Sequence, residues 1–297
     1  MRTRGASALA PLILSACLAM AGEAAAAGVL DEARSRGALR LLWVRDSEPF
    51  SYGGTGGAPA GYAVELCGRV AAAIAPGLPV QWRPVALTEG VEAVSAGSGD
   101  LLCGPVTVTL PRLSRMDFTS PILIGGPGVL LREGAPPVLA EWLDPSRHLN
   151  RSPRGLLLDL AGPKRVAVLA GSTGATWLAG RIARDHLAVT VVPVTAHSEA
   201  ARLLAGNDAE AWVGEWAVLA EYAGRDEGLA SARLLPRPLE GEPLALAMPR
   251  DDVFRLAVEA ALVRIIRGPD FTALLARWLG HGATREAAEI RAVTPLE

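Results

Sequence analysis

The stretch Leu101-Leu-Cys-Gly-Pro-Val-Thr-Val-Thr-Leu-Pro-Arg112 decides the fold, because an apolar strand pattern ends in it at glycine, proline and polar residues. Threonine hydroxyls, turn N–H groups and one guanidinium follow the apolar run within a few positions. Donors that converge at the end of a strand are suited to hold an anion, most simply a carboxylate. For the isolated pattern, a strand, a loop and a surface arginine is the alternative interpretation, so the flanking sequence has to decide.

The sequence before this stretch alternates between strand and helix patterns. It predicts the order βαβαβ, which is typical of a parallel sheet covered by helices. The predicted elements are the strands Ala38–Val44, Val80–Val85 and Leu101–Val106 and the helices Tyr62–Ala75 and Leu87–Ser98.

A second α/β pattern follows this stretch, after the extended segment Gly126–Arg132 and a proline-rich, irregular stretch from Glu133 to Arg154 that we interpret as a surface excursion. Its predicted elements are the strands Arg165–Leu169, Val189–Val194 and Ala209–Val213 and the helices Ala175–His186 and His197–Ala205. The chain then closes with an extended return and two helices, predicted at Pro238–Pro249, Asp251–Arg267 and Phe271–Leu279.

Polar groups follow five of the predicted strands. In parallel α/β sheets, ligands bind beyond the carboxyl ends of the strands. These five strand ends, contributed by the two halves, present polar or charged groups of the kind that an amino acid needs, and they are Arg45–Tyr52, Thr107–Arg112, Ala170–Gly174, Thr195–His197 and Gly214–Trp216.

Composition and the N-terminus indicate an exported protein. The chain has 297 residues and a formal charge of −2, so no basic field points to nucleic acid. Residues 1–27 are predicted to be a signal peptide, with two arginines, an apolar run and small residues near the cleavage sites. A lipobox pattern that ends at Cys17 leaves lipid anchoring open as an alternative to soluble release.

The two remaining cysteines are candidates for a disulfide bond. Cys67 lies in a predicted helix, and Cys103 lies at the end of the strand before the anion loop. In an oxidising compartment such a pair is expected to form a bridge, and two buried free thiols are the alternative. Metal binding is not predicted, because no CxxC or clustered histidine accompanies them.

On these motifs the chain resembles the extracellular solute-binding proteins of family 3, the polar amino-acid receptors of ABC importers, and within them the glutamate/aspartate-binding branch. The similarity runs from about Gly37 to Gly280 and is strongest at Pro49–Tyr62, Asp100–Pro121 and Phe254–Gly280. The resemblance implies a type II periplasmic-binding-protein fold, with two mainly parallel α/β lobes joined by a two-strand hinge.

The resemblance also implies the division of the chain. The first lobe is expected at 28–130 and 241–280, with hinge points near Leu131 and Gly241. The second lobe is expected at 131–240, and residues 281–297 are expected to be a C-terminal tail.

The matching positions imply ligand-binding roles. Arg112 matches the arginine that takes the ligand α-carboxylate, and Thr107 matches a residue with backbone and hydroxyl contacts. Glu215 stands where the family usually has Asp, the acceptor for the ligand ammonium group. The remaining implied contacts are Ser172 and Thr173 at a helix start, Phe50 or Tyr52 on the aliphatic part of the ligand, and Arg45 and His197 near an acidic side chain.

Several of these assignments have structural alternatives. Ser172 and Thr173 can serve as a helix cap, and His197 can cap its own helix. Arg45 can form a rim salt bridge with Asp46 or Glu48. Two nearby tryptophans, Trp212 and Trp216, are interpreted as core or rim aromatics, and Pro105 removes an N–H that many relatives direct at the ligand.

The expected function is a monomeric periplasmic receptor that traps a small amino acid, with acidic amino acids among the candidates, and then docks on a permease of the inner membrane. No cofactor or metal is expected, and the chain is not expected to be an enzyme. Two alternatives remain: a cyclohexadienyl-dehydratase-like enzyme, with Glu215 as general acid, and a sensory ligand-binding subunit.

Overall fold

A computed structural model describes residues 28–144, 164–185, 189–236, 238–280 and 283–296. The predicted signal peptide and Cys17 lie outside these residues, as does the part of the predicted irregular stretch beyond Asp144. The fold consists of two α/β lobes, each built on its own mixed sheet, which confirms the predicted two-lobed fold class.

The first lobe contains a six-stranded sheet in the order β4-β1-β5-β13-β6, with β7 also paired to β13. The strands β1, β4 and β5 run parallel, as the βαβαβ pattern predicts, whereas β13 returns antiparallel to β5. Its elements are α1 Val29–Arg36, β1 Leu39–Val44, α2 Tyr62–Ile74, β4 Val80–Val85, α3 Leu87–Ser95, β5 Leu101–Thr107, α4 Leu110–Leu113, β6 Asp117–Phe118, β7 Leu123–Gly125 and β13 Glu242–Met248. A short hairpin of β2 Tyr52–Gly53 and β3 Pro59–Ala60 follows β1.

The second lobe contains a five-stranded sheet in the order β10-β9-β11-β8-β12. Its strands β9, β10 and β11 are parallel, and β8 runs antiparallel to β11, so the two sheets share one layout. The elements are β8 Pro127–Leu131, α5 Pro137–Leu143, β9 Lys164–Leu169, α6 Thr173–Asp185, β10 Val189–Val194, α7 His197–Ala205, β11 Ala211–Glu215, α8 Trp216–Arg225 and β12 Arg233–Leu234.

The closing helices return to the first lobe. They are α9 Asp252–Arg267, α10 Phe271–Leu279 and α11 Ala283–Val293. The helix α9 packs on α2, and α11 packs on α10 and on β7. The predicted C-terminal tail therefore contains a helix, whose residues Ala283, Ala287 and Ile290 are buried.

The chain crosses between the lobes at two adjacent places. It leaves the first sheet at Gly125 and enters the second at Pro127, and it re-enters the first sheet at Glu242. The return path runs beside the outward path, since the Leu239 N–H donates to the Pro127 carbonyl at 2.6 Å. The sheets thus place the first crossing a few residues before the expected hinge point near Leu131.

The prediction of an irregular stretch after Glu133 is wrong for Pro137–Leu143, because these residues form the helix α5. Proline at the first helical position and a buried face that includes Leu139 and Trp142 explain the helix. Pro136 and Pro137 therefore mark the start of a helix rather than an irregular segment.

The disulfide between Cys67 and Cys103 is present and confirms the predicted pair. It joins α2 to β5, with 6.0 Å between the two Cα atoms. Both residues are fully buried. The covalent bond between them holds α2 against the strand that carries the predicted anion loop.

Candidate functional site

A cavity of about 40 Å³ lies between the two lobes at the carboxyl ends of their parallel strands. Six of the nine predicted ligand contacts, all but the three that follow β1, line it. The first lobe contributes Val44, Ser47, Leu87, Pro105, Thr107 and Arg112, and the second contributes Pro127, Leu169, Ser172, Thr173, Gly174, His197, Gly214 and Glu215.

Arg112 spans the cleft between the lobes. It lies on α4, whose first turn is capped by Thr109, and its Nη1 donates to the Thr107 carbonyl at 2.8 Å. Its Nη2 donates to the Gly171 carbonyl of the second lobe at 3.0 Å. Burial lowers the pKa of Arg112, and the nearby Glu242 carboxylate opposes that effect. A guanidinium has more N–H donors than these two bonds use, so it can also hold a carboxylate.

Two threonine hydroxyls from opposite lobes meet at one carboxylate. Thr107 ends β5 in the first lobe, Thr173 begins α6 in the second, and their Oγ1 atoms are 3.5 Å apart. Both hydroxyls donate to the same oxygen, Oε2 of Glu242, at 2.9 Å and 2.7 Å. The hydroxyls that the sequence assigns to a ligand carboxylate therefore already bind a carboxylate of the protein.

Ser172 caps the start of α6. Its Oγ donates to the Leu169 carbonyl at 2.7 Å and accepts from the Ala175 N–H at 3.1 Å. Capping leaves the helix N-terminus directed at the cavity, where Thr173 and Gly174 also line the wall. The positive end of the helix dipole favours an anion at that point.

Glu215 is the last residue of β11, and its carboxyl group lies at the hinge. The Gly126 N–H donates to both of its oxygens, at 3.2 Å and 3.1 Å. Burial raises the pKa of Glu215 to about 8, an effect that backbone N–H donors such as Gly126 partly offset. The side chain is therefore mostly protonated and neutral at pH 7, unlike an ordinary carboxylate acceptor.

His197 begins α7 and is buried against the cavity. Its ring lies 5.7 Å from the ring of Trp212, and among the described residues nothing pairs with its buried Nδ1. Burial lowers the pKa of His197 to about 4, against the opposing charge of Asp46, so the imidazole is neutral at pH 7. It offers a neutral polar edge to a ligand rather than a charge.

The three predicted contacts that follow β1 lie away from the cavity. The Arg45 side chain is 55% exposed and its Nη2 is 4.0 Å from Glu89 Oε2, rather than paired with Asp46 or Glu48. Phe50 is fully buried in the core of the first lobe. Tyr52 packs edge-on against Trp278, with 6.4 Å between ring centroids.

The loop after β1 contacts the second lobe instead. Asp46 accepts hydrogen bonds from the Ser198 N–H, at 2.5 Å, and from the Tyr222 hydroxyl. Glu48 forms an ion pair with Arg225. Together with the Arg112–Gly171 bond, these contacts join the two lobes across the mouth of the cleft.

Sequence reasoning missed Glu242, Asp46 and Ser47. Asp46 and Ser47 stand in the polar segment after β1, where the resemblance implies ligand contacts only for Arg45, Phe50 and Tyr52. Glu242 belongs to the predicted extended return, where a lone Glu beside Gly241 carries no local signal. Pro105, which the sequence did single out, lies in β5 opposite a register shift in β13, where a missing N–H is tolerated.

Within the described residues, no helix has both the length and the apolar character needed to cross a membrane. The same residues contain no cluster of three or more His, Cys, Asp or Glu side chains that could hold a metal ion.

Comparison with known proteins gives one family match and one curated relative. The profile of the bacterial extracellular solute-binding proteins, family 3, matches residues 39–281. The glutamate/aspartate import solute-binding protein of Escherichia coli (strain K12) is 23% identical over 256 residues, which cover 83% of this chain and 78% of that protein.

Solved structures share the fold. An ancestral arginine-binding protein bound to glutamine superposes with a TM-score of 0.67 at 22% identity, over 83% of this chain and 99% of that one. An ancestral amino acid-binding protein, described as a precursor of cyclohexadienyl dehydratase, gives the same TM-score of 0.67 and 22% identity over 84% and 99% of the two chains. The type II amino-acid-binding fold that the resemblance implied is thereby confirmed.

Proposed function

This chain belongs to the bacterial extracellular solute-binding proteins of family 3, and on that premise we propose that it is the periplasmic receptor of an amino-acid ABC importer. The observation that carries the proposal is the cavity between the lobes, where Arg112, Thr107 and the N-terminus of α6 converge. A guanidinium, hydroxyl donors and a helix N-terminus at one point favour a carboxylate. The ligand is held when the lobes close on it and released when they open.

The charges along the cavity disfavour an amino acid with an acidic side chain. Arg112 provides one positive charge for the α-carboxylate. Arg45, the residue expected to pair with a second carboxylate, faces Glu89 outside the cavity. His197 is neutral at pH 7 because burial lowers its pKa to about 4. An acidic side chain of the ligand would therefore bring a negative charge that the cleft does not compensate.

Export and a permease partner complete the proposal. The predicted signal peptide at residues 1–27, with or without a lipid anchor at Cys17, would place the two lobes in the periplasm. The E. coli relative is named as an import protein, which supports a transporter partner. A monomeric receptor whose closed form docks on the permease fits this arrangement.

Calorimetric titration of the mature protein with the twenty standard amino acids tests the proposal. We expect saturable one-to-one binding of at least one of them, with micromolar or tighter affinity. Heat signals at the level of buffer dilution for all twenty amino acids would contradict the proposed function.

A second candidate, a dehydratase that acts on a carboxylated ring, is favoured by one observation. Burial raises the pKa of Glu215 to about 8, which makes it a protonated acid at pH 7, as general-acid catalysis requires. Its oxygens, however, accept the hinge N–H of Gly126, so the group is held on the backbone.

Incubation with prephenate and with arogenate, followed by chromatography of the products, separates the two candidates. Turnover that is lost in Glu215→Gln would establish the enzyme. Tight amino-acid binding without turnover would exclude the dehydratase and support the receptor.

A further inference from the structure

Glu242 occupies an unusual place in the cleft. It is the first residue of β13, where the chain returns to the first sheet, and it pairs with Gly125 of β7 at the outward crossing. Its carboxylate lies beside both connections between the lobes, within hydrogen-bond distance of Thr107 and Thr173, which line the cavity. The sequence motifs that indicate the site do not include it.

The contacts of Glu242 are those of a carboxylate receptor. Its Oε2 accepts from Thr107 of the first lobe at 2.9 Å and from Thr173 of the second at 2.7 Å. Its charge acts on Arg112 and on Glu215. The protein therefore keeps one negative group of its own at the point where Arg112 and the two hydroxyls are proposed to receive the ligand.

A ligand carboxylate at this point comes close to the Glu242 carboxylate, and the two negative charges repel each other. Arg112 compensates one of them. The second requires a positive group on the ligand next to its carboxylate, which the α-ammonium of an amino acid supplies. Charge balance within the cleft thus demands a cationic nitrogen that faces Glu242.

Glu215, the acceptor that the resemblance implied, is less suited to that role. The hinge N–H of Gly126 already donates to both of its oxygens. Burial raises its pKa to about 8, so it is mostly a neutral acid at pH 7 and attracts an ammonium group weakly. Glu242 is the carboxylate that remains near the hydroxyls of Thr107 and Thr173.

We propose that Glu242 is a specificity-determining residue of the cleft: its carboxylate receives the cationic nitrogen of the ligand and selects amino acids of zero or positive net charge against acidic ones. The inference rests on the proposed function and adds the residue that accepts the cationic nitrogen and excludes acidic ligands. It assigns to Glu242 the role that sequence resemblance assigns to Glu215. Glu215 then serves to hold the hinge.

Calorimetric titration of the full mature protein with arginine, glutamine, glutamate and glutarate at pH 7.5 tests the inference. The variants are Glu242→Gln, which removes the charge, and Glu240→Gln, a matched control two residues away with an exposed side chain. We expect the wild type and the control to bind arginine or glutamine at least tenfold more tightly than glutamate. We expect no measurable binding of glutarate, which has no ammonium group.

In Glu242→Gln the preference over glutamate should shrink at least tenfold, because the attraction for the cationic nitrogen and the repulsion of the second carboxylate are lost together. If this variant fails to fold, Glu242→Asp keeps the charge but withdraws it by one methylene. That variant should retain the preference while every affinity falls.

Three outcomes would overturn the inference. One is a preference in Glu242→Gln that matches the wild type within twofold. Another is a wild type that binds glutamate more tightly than arginine and glutamine. The third is a loss of preference in Glu242→Asp as large as the loss in Glu242→Gln. Each of these three outcomes leaves the proposed function intact. A wild type that binds none of the twenty standard amino acids would overturn the proposed function, and this inference with it.

Discussion

The carboxyl group of Glu215 makes the stability of the protein depend on pH in a specific direction. In the folded protein, burial raises the pKa of Glu215 from 4.5 to about 8. The unfolded chain releases this proton near pH 4.5, so between the two values the folded state binds more protons than the unfolded state. The stability that the protonated Glu215 group contributes is therefore fully present below pH 4.5 and is lost as the pH rises through 8.

The size of this loss follows from the two pKa values. Each pH unit that separates folded from unfolded pKa values corresponds to about 1.4 kcal/mol. Between pH 5 and pH 9 the Glu215 group should therefore lower the free energy of unfolding by roughly 4 kcal/mol. The Glu215 side chain lines the cavity and is only partly buried, so solvent screening makes this value an upper limit.

Urea unfolding at pH 5, 6, 7, 8 and 9, followed by circular dichroism, measures this effect. Other groups titrate in the same range, so the quantity of interest is the difference between wild type and Glu215→Gln, which carries no titrating proton. Glu240→Gln, with its exposed side chain, is the matched control. If wild type and Glu215→Gln lose stability in parallel from pH 5 to pH 9, the assignment of a buried, protonated Glu215 is wrong.

Two further changes should lower the free energy of unfolding for known reasons. Replacement of both Cys67 and Cys103 by serine should lower the free energy of unfolding by about 4 kcal/mol, because the bridge closes a loop with a sequence separation of 36. Dithiothreitol should lower the urea midpoint of the wild type to that of the double variant. Equal midpoints of the two proteins without reductant would contradict a stabilising bridge. Gly126→Ala should cost about 2 kcal/mol or more, since Gly126 has a φ of +144° and a Cβ there would collide with the Glu240 carbonyl. Gly224→Ala, where the added Cβ meets open space, should be neutral or stabilising, and equal stability of the two alanine variants would refute the strain argument.

The central strands of both sheets were predictable because most of their residues are apolar. The edge strands Val80–Val85 and Val189–Val194 have the predicted bounds, and Val189–Val194 is rich in β-branched residues. The disulfide was predictable because the predicted cleavage or lipidation at the N-terminus leaves Cys67 and Cys103 as a pair. The position of the donors in the predicted anion loop was predictable as well, since residues that follow a strand in sequence also lie at its carboxyl end in space.

Side-chain direction and long-range return were not predictable from local pattern. Arg45 follows a strand as Arg112 does, yet its side chain turns outward to Glu89 because nothing in the sequence fixes its rotamer. Glu242 reaches Thr107 across a sequence separation of 135, through the antiparallel insertion of β13 beside β5. Its position depends on the completed sheet, which no short motif can specify.

The helix Trp216–Arg225 was missed for another reason. The strand before it was expected to end at Val213, but it extends to Glu215, and the helix begins at the next residue. Gly214 suggests an earlier end of the strand, and no glycine or proline separates Glu215 from Trp216 to mark the start of the helix. Glu215 therefore lies at a strand–helix junction on the hinge, which explains how its carboxyl group reaches the Gly126 N–H.

The central claim, that Arg112 holds the carboxylate of an amino acid in the cleft, is tested most directly by titration calorimetry. The tightest-binding amino acid and its carboxamide are each titrated into wild type, Arg112→Gln and Arg115→Gln. Arg115 is an exposed arginine of the same segment that pairs with Glu92, with 2.9 Å between Arg115 Nη1 and Glu92 Oε1.

Loss of a charge-assisted bond between the Arg112 guanidinium and the carboxylate should cost on the order of 2–5 kcal/mol, or about 30-fold or more in affinity. The account predicts this loss for the amino acid in Arg112→Gln, wild-type binding in Arg115→Gln, and weak binding of the carboxamide to all three proteins. Binding of the amino acid by Arg112→Gln with wild-type affinity, or equal binding of the carboxamide by the wild type, would contradict it.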